Sequence, residues 1–285
     1  MDSAFPRRRP AGERLPISPR EDRFPVVFWR AFSLKLARWM NSENNEGMRR
    51  LAFTMAVFLG LAQAAAADPI TLAFTEFYPV TRTENGHPAG PGIEFARRLV
   101  DGLPIRLEPE AVPLRRLMTM TQARPMIIIA LGRTAAREQE FRWIGELYRD
   151  SLVMVTKKPR PRIDTLEQAR RLDHIGVTLG GIAQGMLENQ HFTNIEPSLD
   201  MMAQARKLAG GRVDAWCALR LSARSAWSAL GRDASDVEVG AELVPVSIWM
   251  AASLPVPAEL VEELRRRFAD LQRDGTAGQI FSGLR

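Results

Sequence analysis

The chain has 285 residues, a formal net charge of +6 and one cysteine, Cys217. The positive charge is unevenly spread, since residues 1–67 carry +5 and residues 68–285 carry only +1. The longer part is therefore nearly neutral and offers no electrostatic basis for binding nucleic acid. A single cysteine also excludes an internal disulfide, so that packing alone must stabilise the fold.

Residues 48–69 have the three parts of a secretory signal peptide. Met48-Arg49-Arg50 is a short cationic start, a mostly apolar run follows, and Ala65-Ala66-Ala67 is a small-residue cleavage site. The run is too short for a membrane span, which needs about 20 apolar residues. We expect cleavage after Ala67 and a periplasmic protein without a lipid anchor, because Asp68 and not cysteine follows. A buried amphipathic helix and an uncleaved anchor are the alternatives.

Residues 1–47 do not fit in front of a signal peptide. They contain Arg7-Arg8-Arg9, several prolines and little apolar periodicity, a composition that cannot bury enough surface to fold. We expect a disordered or mis-assigned N-terminal extension, with Met48 as the true start. The alternative is a basic arm for nucleic acid or anionic lipid.

From residue 69 onwards, segments typical of strands and of helices alternate. Residues 69–74 alternate in polarity, turn-forming residues occupy 84–88, and 126–131 is a continuous apolar run typical of a buried parallel strand. In chain order we predict a strand at 69–74, a helix at 92–103, a strand at 105–111, a helix at 114–122, and strands at 126–131 and 152–156.

A second series of alternating elements follows the charged segment 157–162. Thr165 is a plausible helix N-cap, and Gly210-Gly211 is a plausible helix end. We predict helices at 165–171, 180–188, 199–208, 223–230 and 257–274, strands at 174–177, 194–197, 213–219 and 248–253, an extended segment at 237–246, and a short helix within 275–285.

This alternation of strands and helices predicts an α/β fold with parallel sheets. The pattern occurs twice, and the end of the chain adds to the first block. We therefore expect two lobes joined by crossings near residues 157 and 247. Lobe 1 would comprise 68–156 and 248–285, and lobe 2 would comprise 157–247.

Six short motifs follow one another along residues 70–285. In this order, behind a signal peptide, they resemble the bacterial extracellular solute-binding proteins of the polar amino-acid type (family 3). The resemblance implies a two-lobed periplasmic binding protein fold (type II), each lobe a mostly parallel sheet flanked by helices, with two hinge crossings. The motifs are Tyr78-Pro79, Gly90-Pro91-Gly92-Ile93-Glu94, Val112-Pro113-Leu114-Arg115-Arg116-Leu117, Arg133-Thr134-Ala135-Ala136-Arg137-Glu138 with Phe141, Trp143 and Gly145, Gly211-Arg212-Val213-Asp214-Ala215, and Leu271-Gln272-Arg273-Asp274-Gly275-Thr276.

Arg137 is the residue that we expect to bind the solute. It follows the predicted strand at 126–131, and α/β sheets bind ligands at the carboxyl ends of their strands. A guanidinium can hold a carboxylate through two parallel hydrogen bonds, and the resemblance implies that the arginine of this motif holds the α-carboxylate of the solute. The alternative is a surface salt bridge to Glu138 or Glu140.

Two neighbours of Arg137 belong to the same expected site. Thr134 either caps the following turn or donates to the same carboxylate, and these roles are compatible. Gly132 allows a close approach of the backbone to the solute. Arg133, in contrast, is expected at the surface or at a hinge.

Further candidates lie on other loops. In Gly180-Gly181-Ile182 a strand-to-helix turn offers free N–H groups to an anion, although an ordinary tight turn is an equal alternative. Phe77 and Tyr78 are expected to cover the solute, with plain packing as the alternative, and Asp214 is included as part of its motif.

Recognition of an ammonium group is the point at which the chain departs from the family. The resemblance implies an acid a few positions after Asp214-Ala215 and another near the end of the first strand, but residues 216–220 contain no acid and Phe74 stands at the second position. Glu76 is the nearest substitute. Trp216 and Cys217 are expected in the core, with Cys217 chemically inert.

The sequence favours a binding protein over an enzyme. It contains no nucleophile elbow, phosphate loop or metal-ligand spacing, so we expect no catalytic residue, no metal and no cofactor. We expect a monomer that closes on a small carboxylate-bearing solute and delivers it to an ABC permease in the inner membrane, without binding nucleic acid. The alternatives are a periplasmic sensory or accessory protein and a dehydratase-like enzyme of the same fold.

Overall fold

The structure, a computed structural model, describes residues 69–108 and 110–284. The predicted signal peptide at 48–67 and the predicted extension at 1–47 lie outside the described residues. Among the described residues, no helix combines the length and the apolar character that crossing a membrane requires.

Eleven strands and eight α-helices alternate along the described part of the chain. The strands are β1 (Ile70–Ala73), β2 (Arg82–Glu84), β3 (His87–Ala89), β4 (Ile105–Leu107), β5 (Met126–Gly132), β6 (Phe141–Lys157), β7 (Ile175–Thr178), β8 (Ile195–Ser198), β9 (Ala215–Leu219), β10 (Val237–Val239) and β11 (Val244–Ser253). The helices are α1 (Pro91–Leu99), α2 (Leu114–Thr121), α3 (Leu166–Ala169), α4 (Ile182–Asn189), α5 (Met201–Ala209), α6 (Arg220–Ala229), α7 (Ala258–Arg273) and α8 (Thr276–Ile280), with a 3₁₀ helix at Ala135–Arg137.

Two groups of parallel strands form the outer parts of one sheet. The strand order is β4-β1-β5-β11-β6-β9-β7-β8, and β10 pairs with β6. We call β4, β1 and β5 the first half-sheet and β9, β7 and β8 the second half-sheet; within each, the neighbours are parallel. The α/β fold with parallel strands is therefore confirmed.

The two half-sheets are joined by the long antiparallel strands β6 and β11. These strands pair along 141–152 and 244–253, and β5 adds to β11 on its other side. From Leu152 to Thr156, β6 pairs with β9 instead. The change of partner on β6 thus falls at Leu152, and the expected lobe boundaries at 157 and 247 stay predictions.

Local signals in the sequence account for several elements. The turn predicted at 84–88 connects the antiparallel pair β2 and β3, and Asn85 and Gly86 take the positive φ values of 50° and 77° that a tight hairpin turn needs. Thr165 caps α3 in a full capping box with Gln168. The helix predicted at 257–274 is observed as α7.

Helix α7 packs against β6 and α1. Phe95 of α1 contacts Phe268 of α7 and Phe281 near the end of the chain, with ring centroids 5.0 Å and 5.4 Å apart. Gly145 of β6 permits this packing, because a Cβ there would lie 2.4 Å from two atoms of the Phe268 ring. Any larger residue at position 145 therefore forces the ring or the strand to shift.

We predict that Gly145→Ala destabilises the protein by about 1–3 kcal/mol, since the added methyl group overpacks the Phe268 contact. Gly278→Ala is the matched control, because a Cβ on Gly278 in α8 meets nothing within 4 Å. Urea unfolding followed by circular dichroism measures both. Equal stability of the two variants would show that the close contact does not constrain the fold.

Candidate functional site

A cavity of about 710 Å³, part of it open to solvent, lies where strands of both half-sheets end. Residues at or beyond the carboxyl ends of β1, β5, β7 and β9 line it, together with the first residues of α2, α4, α5 and α6. This is the edge at which α/β sheets place their ligands. The lining consists of Thr75, Glu76, Phe77, Leu114, Ala130, Leu131, Gly132, Arg137, Leu152, Thr178, Gly181, Ile182, Ala183, Asp200, Met201, Trp216, Cys217, Ala218, Leu219 and Ser222.

Arg137 is a half-buried cation in the wall of this cavity. Its Nη1 donates to the carbonyl oxygen of Gly132 at 3.1 Å, and its Nη2 donates to the carbonyl oxygen of Gly180 at 2.9 Å. The guanidinium thereby connects the end of β5 with the turn between β7 and α4. Burial lowers the pKa of Arg137, and the charge of Glu140 offsets this effect only in part. An anion beside the guanidinium would offset this penalty.

Glu138 forms its salt bridge with Arg133 and not with Arg137, for which such a bridge was the alternative. The guanidinium of Arg133 pairs with the carboxylate of Glu138 at 2.5 Å and lies 4.5 Å from the ring centroid of Trp249. This pairing raises the pKa of Arg133 and lowers the pKa of Glu138. Glu138 is thus engaged by Arg133, and Arg137 faces the cavity.

The start of α4 lies beside Arg137. Gly180 has a φ of +74°, which suits glycine, and its N–H donates to Oε1 of Gln184 at 2.7 Å. The N-cap residue Gly181 gives α4 no side-chain cap. The N–H groups of Ile182 and Ala183 therefore lie in a first turn without intrahelical partners, next to a guanidinium. Both features favour an anion at this corner of the cavity.

Two carboxylates, Glu76 and Asp200, line another part of the same cavity. Oε1 of Glu76 accepts from the N–H of Thr83 at 2.9 Å, and Oδ1 of Asp200 accepts from the N–H of Ala203 at 2.7 Å as the N-cap of α5. Burial, and then the charge of Glu76, raise the pKa of Tyr78. Both carboxylates bring negative charge to the cavity lining.

The structure brings most of the predicted site residues to the cavity. Glu76, Phe77, Gly132, Arg137, Gly181 and Ile182 line it. Gly180 meets it through its carbonyl oxygen, which accepts from Arg137. Tyr78 lies just outside, with its N–H donating to Sδ of Met201 at 3.2 Å. Thr134 is the N-cap residue of the 3₁₀ helix without a side-chain hydrogen bond, and it is not part of the lining.

Asp214 is not brought to the cavity. Its Oδ1 pairs with Nη2 of Arg160 at 2.5 Å, and its Oδ2 accepts from the N–H groups of Asp173 and His174 at 2.8 Å and 2.9 Å. These bonds fasten the start of β7 to the start of β9. The position of Asp214 in its motif therefore has a structural explanation in this chain.

Comparisons with known proteins give matches among solved structures alone. No protein-family model matches the chain, and no curated protein matches it. An ancestral arginine-binding protein bound to arginine matches with a TM-score of 0.67 at 19% identity, over 76% of this chain and 98% of that one. A histidine-binding substrate-binding protein of an ABC uptake transporter from Streptococcus pneumoniae gives 0.67 at 18%, over 75% and 91%. A histidine kinase sensor domain with similarity to periplasmic binding proteins gives 0.69 at 15%, over 76% and 96%.

This chain has the two-lobed fold of periplasmic binding proteins. The sequence motifs led to the same fold, so the resemblance is borne out at that level. At identities below 20% the likeness extends to the fold and not to the solute. The terms first lobe and second lobe denote the parts of the chain that carry the first and the second half-sheet, and cleft denotes the cavity that residues of both parts line.

Several cleft residues were not predicted from the sequence. Asp200 falls inside the helix predicted at 199–208, and its position after the predicted strand at 194–197 is the signal that could have found it. Trp216 and Cys217 are buried as predicted, each 1% exposed, but they also line the cleft. Burial raises the pKa of the Cys217 thiol to about 12, so it stays a thiol and is a poor nucleophile.

A further cleft contact joins Gly132 of the first lobe to Ile182 of the second. A Cβ on Gly132 would lie 2.0 Å from Cδ1 of Ile182. The spacing of these two residues therefore requires glycine at position 132, or a different rotamer at position 182.

We predict that Gly132→Ala weakens solute binding about 3- to 10-fold, because moving Ile182 off its rotamer costs about 0.5–1.5 kcal/mol. The second-site change Ile182→Val removes the clashing Cδ1 and is expected to restore most of the affinity. Isothermal titration of the wild type, both single variants and the double variant measures this. Additive losses in the double variant would contradict a direct contact across the cleft.

Proposed function

We propose that the chain is a periplasmic solute-binding protein that closes on a small carboxylate-bearing solute and delivers it to an ABC permease. The single observation that carries the proposal is Arg137, a half-buried cation in the cleft whose two terminal nitrogens reach both lobes. The fold, the apolar cleft and the uncapped start of α4 support it. The predicted signal peptide at 48–67 supports the periplasmic location.

The carboxylate is assigned to Arg137 on electrostatic grounds. Desolvation disfavours this guanidinium, and carbonyl oxygens supply only partial negative charge. A carboxylate would add a full negative charge and could accept two parallel hydrogen bonds. The first-turn N–H groups of α4 would add further donors to the same oxygens.

The mechanism is closure of the two lobes around the solute. One cleft is lined by residues of both lobes, such as Glu76 of the first and Ile182 of the second. A solute that contacts both lobes binds the closed state more tightly and shifts the population towards it. Strands β6 and β11 carry the chain between the lobes and would absorb the motion.

A sensory role is a second candidate, and the likeness to a histidine kinase sensor domain favours it. The closing motion would be the same, with a signalling partner in place of a permease. An enzyme of this fold is the weaker alternative. Among the described residues, no cluster of three or more His, Cys, Asp and Glu could hold a metal ion. The carboxylates of Glu76 and Asp200 in the cleft each accept a hydrogen bond from a backbone N–H, which gives each of them a structural role.

We predict that Arg137→Ala weakens binding at least about a hundredfold, a loss of about 3 kcal/mol, since two charge-assisted hydrogen bonds disappear. The solute is first found by a thermal-shift screen of amino acids, organic acids and small amines, and its affinity is then titrated. The exposed Arg171→Ala is the matched control. Full-affinity binding by a folded Arg137→Ala protein would contradict the assignment of the carboxylate to Arg137.

We further predict that Glu76→Gln and Asp200→Asn weaken binding of an α-amino acid about tenfold each, while its 2-hydroxy analogue is unaffected. Both changes remove only the charge, because glutamine still accepts from Thr83 and asparagine still caps α5. The exposed Glu242→Gln is the control. Equal losses for the amino acid and its 2-hydroxy analogue would show that these carboxylates do not recognise an ammonium group.

A further inference from the structure

The wall of the cleft formed by β6 and β9 carries no charge. Leu152 of β6 pairs in register with Leu219 of β9, and both line the cleft together with Ala218. All three are at least 92% buried, since none exposes more than 8% of its surface. The carboxyl end of β9 thus presents an apolar surface to whatever fills the cleft.

The charged groups of the cleft are few and belong to other walls. Among the twenty lining residues, Arg137, Glu76 and Asp200 are the ones that carry charge at neutral pH. The guanidinium lies at the start of α4, and the two carboxylates lie after β1 and β8. A charged side chain of a solute against the β6–β9 wall would be desolvated without a partner, which is strongly unfavourable.

One polar atom interrupts this apolar wall. Ser222, in the first turn of α6, is 1% exposed and lines the cleft. Its hydroxyl lies beside the buried phenol of Tyr148: burial raises the pKa of Tyr148 well above the usual range, and a hydrogen bond with Ser222 lowers it only in part. The serine hydroxyl therefore has a neighbour within the protein, and it brings no charge to this wall.

Resting on the proposed function, we infer that the solute has an uncharged, mainly apolar body. Its carboxylate meets Arg137, and an aliphatic or aromatic body packs on Leu152, Ala218 and Leu219. Removing apolar surface from water is favourable, so that this wall supplies affinity as well as selection. Solutes with a second ionised group at the far end of the body are rejected because that group would lie unpaired.

The wild-type protein itself tests this inference. Binding of leucine, phenylalanine and tyrosine is compared by thermal shift and titration with that of lysine, arginine and glutamate. We expect the uncharged set to bind at least about tenfold more tightly. Tighter binding of lysine, arginine or glutamate would overturn the apolar-body inference while leaving carboxylate capture by Arg137 in place. If no carboxylate of the panel binds, this inference and the proposed function both fail.

A substitution in the wall gives the second readout. Leu219→Glu places an acid in the apolar wall and is expected to reverse the preference, with a loss of at least about tenfold for leucine and a gain for lysine. Leu219→Met keeps an apolar side chain of similar volume and is the control. The melting temperature of each variant without solute establishes that it folds. An unchanged preference in a folded Leu219→Glu protein would show that this wall does not contact the body of the solute.

Discussion

The antiparallel pairing of β6 with β11 is the constraint on which the rest of the structure depends. These strands pair along 141–152 and 244–253, although about a hundred residues separate them in sequence. The first half-sheet attaches to β11 through β5, and the second attaches to β6 through β9. Because the same two strands carry both half-sheets, the carboxyl ends of the parallel strands face one cleft. The site therefore exists only once this long-range pairing has formed.

The electrostatics of the cleft follow from this arrangement. Arg137 emerges from the end of β5 and reaches the turn before α4, so that burial between the lobes desolvates its charge. The two terminal nitrogens of this guanidinium donate to backbone carbonyl oxygens. Among the described residues no carboxylate forms a salt bridge with it, since Glu138 pairs with Arg133. A buried cation with partial compensation is a receptor for an anion. The carboxylates of Glu76 and Asp200 lie on another side and give the cleft a polarity that suits a zwitterion.

The sequence predicted those parts of the structure that local patterns determine. The apolar run at 126–131 predicted β5, and the motif after it placed Arg137 at a strand end. The segment 141–151 was not predicted as a strand, because charged residues such as Arg142 and Arg149 interrupt its apolar pattern and its partner lies far along the chain. Asp200 was not predicted as a cleft residue because an aspartate at a helix start already has a local role as the N-cap. Asp214 was assigned to the site by its motif, whereas the geometry gives its carboxylate to the start of β7.

A crystal structure of the protein with the solute that most raises its melting temperature tests the central claim most directly. The account predicts the solute in the cleft, with its carboxylate within hydrogen-bond distance of the Arg137 guanidinium and of the first N–H groups of α4. The Arg137 guanidinium would then donate to the carboxylate in addition to, or instead of, the carbonyl oxygens of Gly132 and Gly180. A solute bound elsewhere, or one whose carboxylate points away from Arg137, would contradict the account.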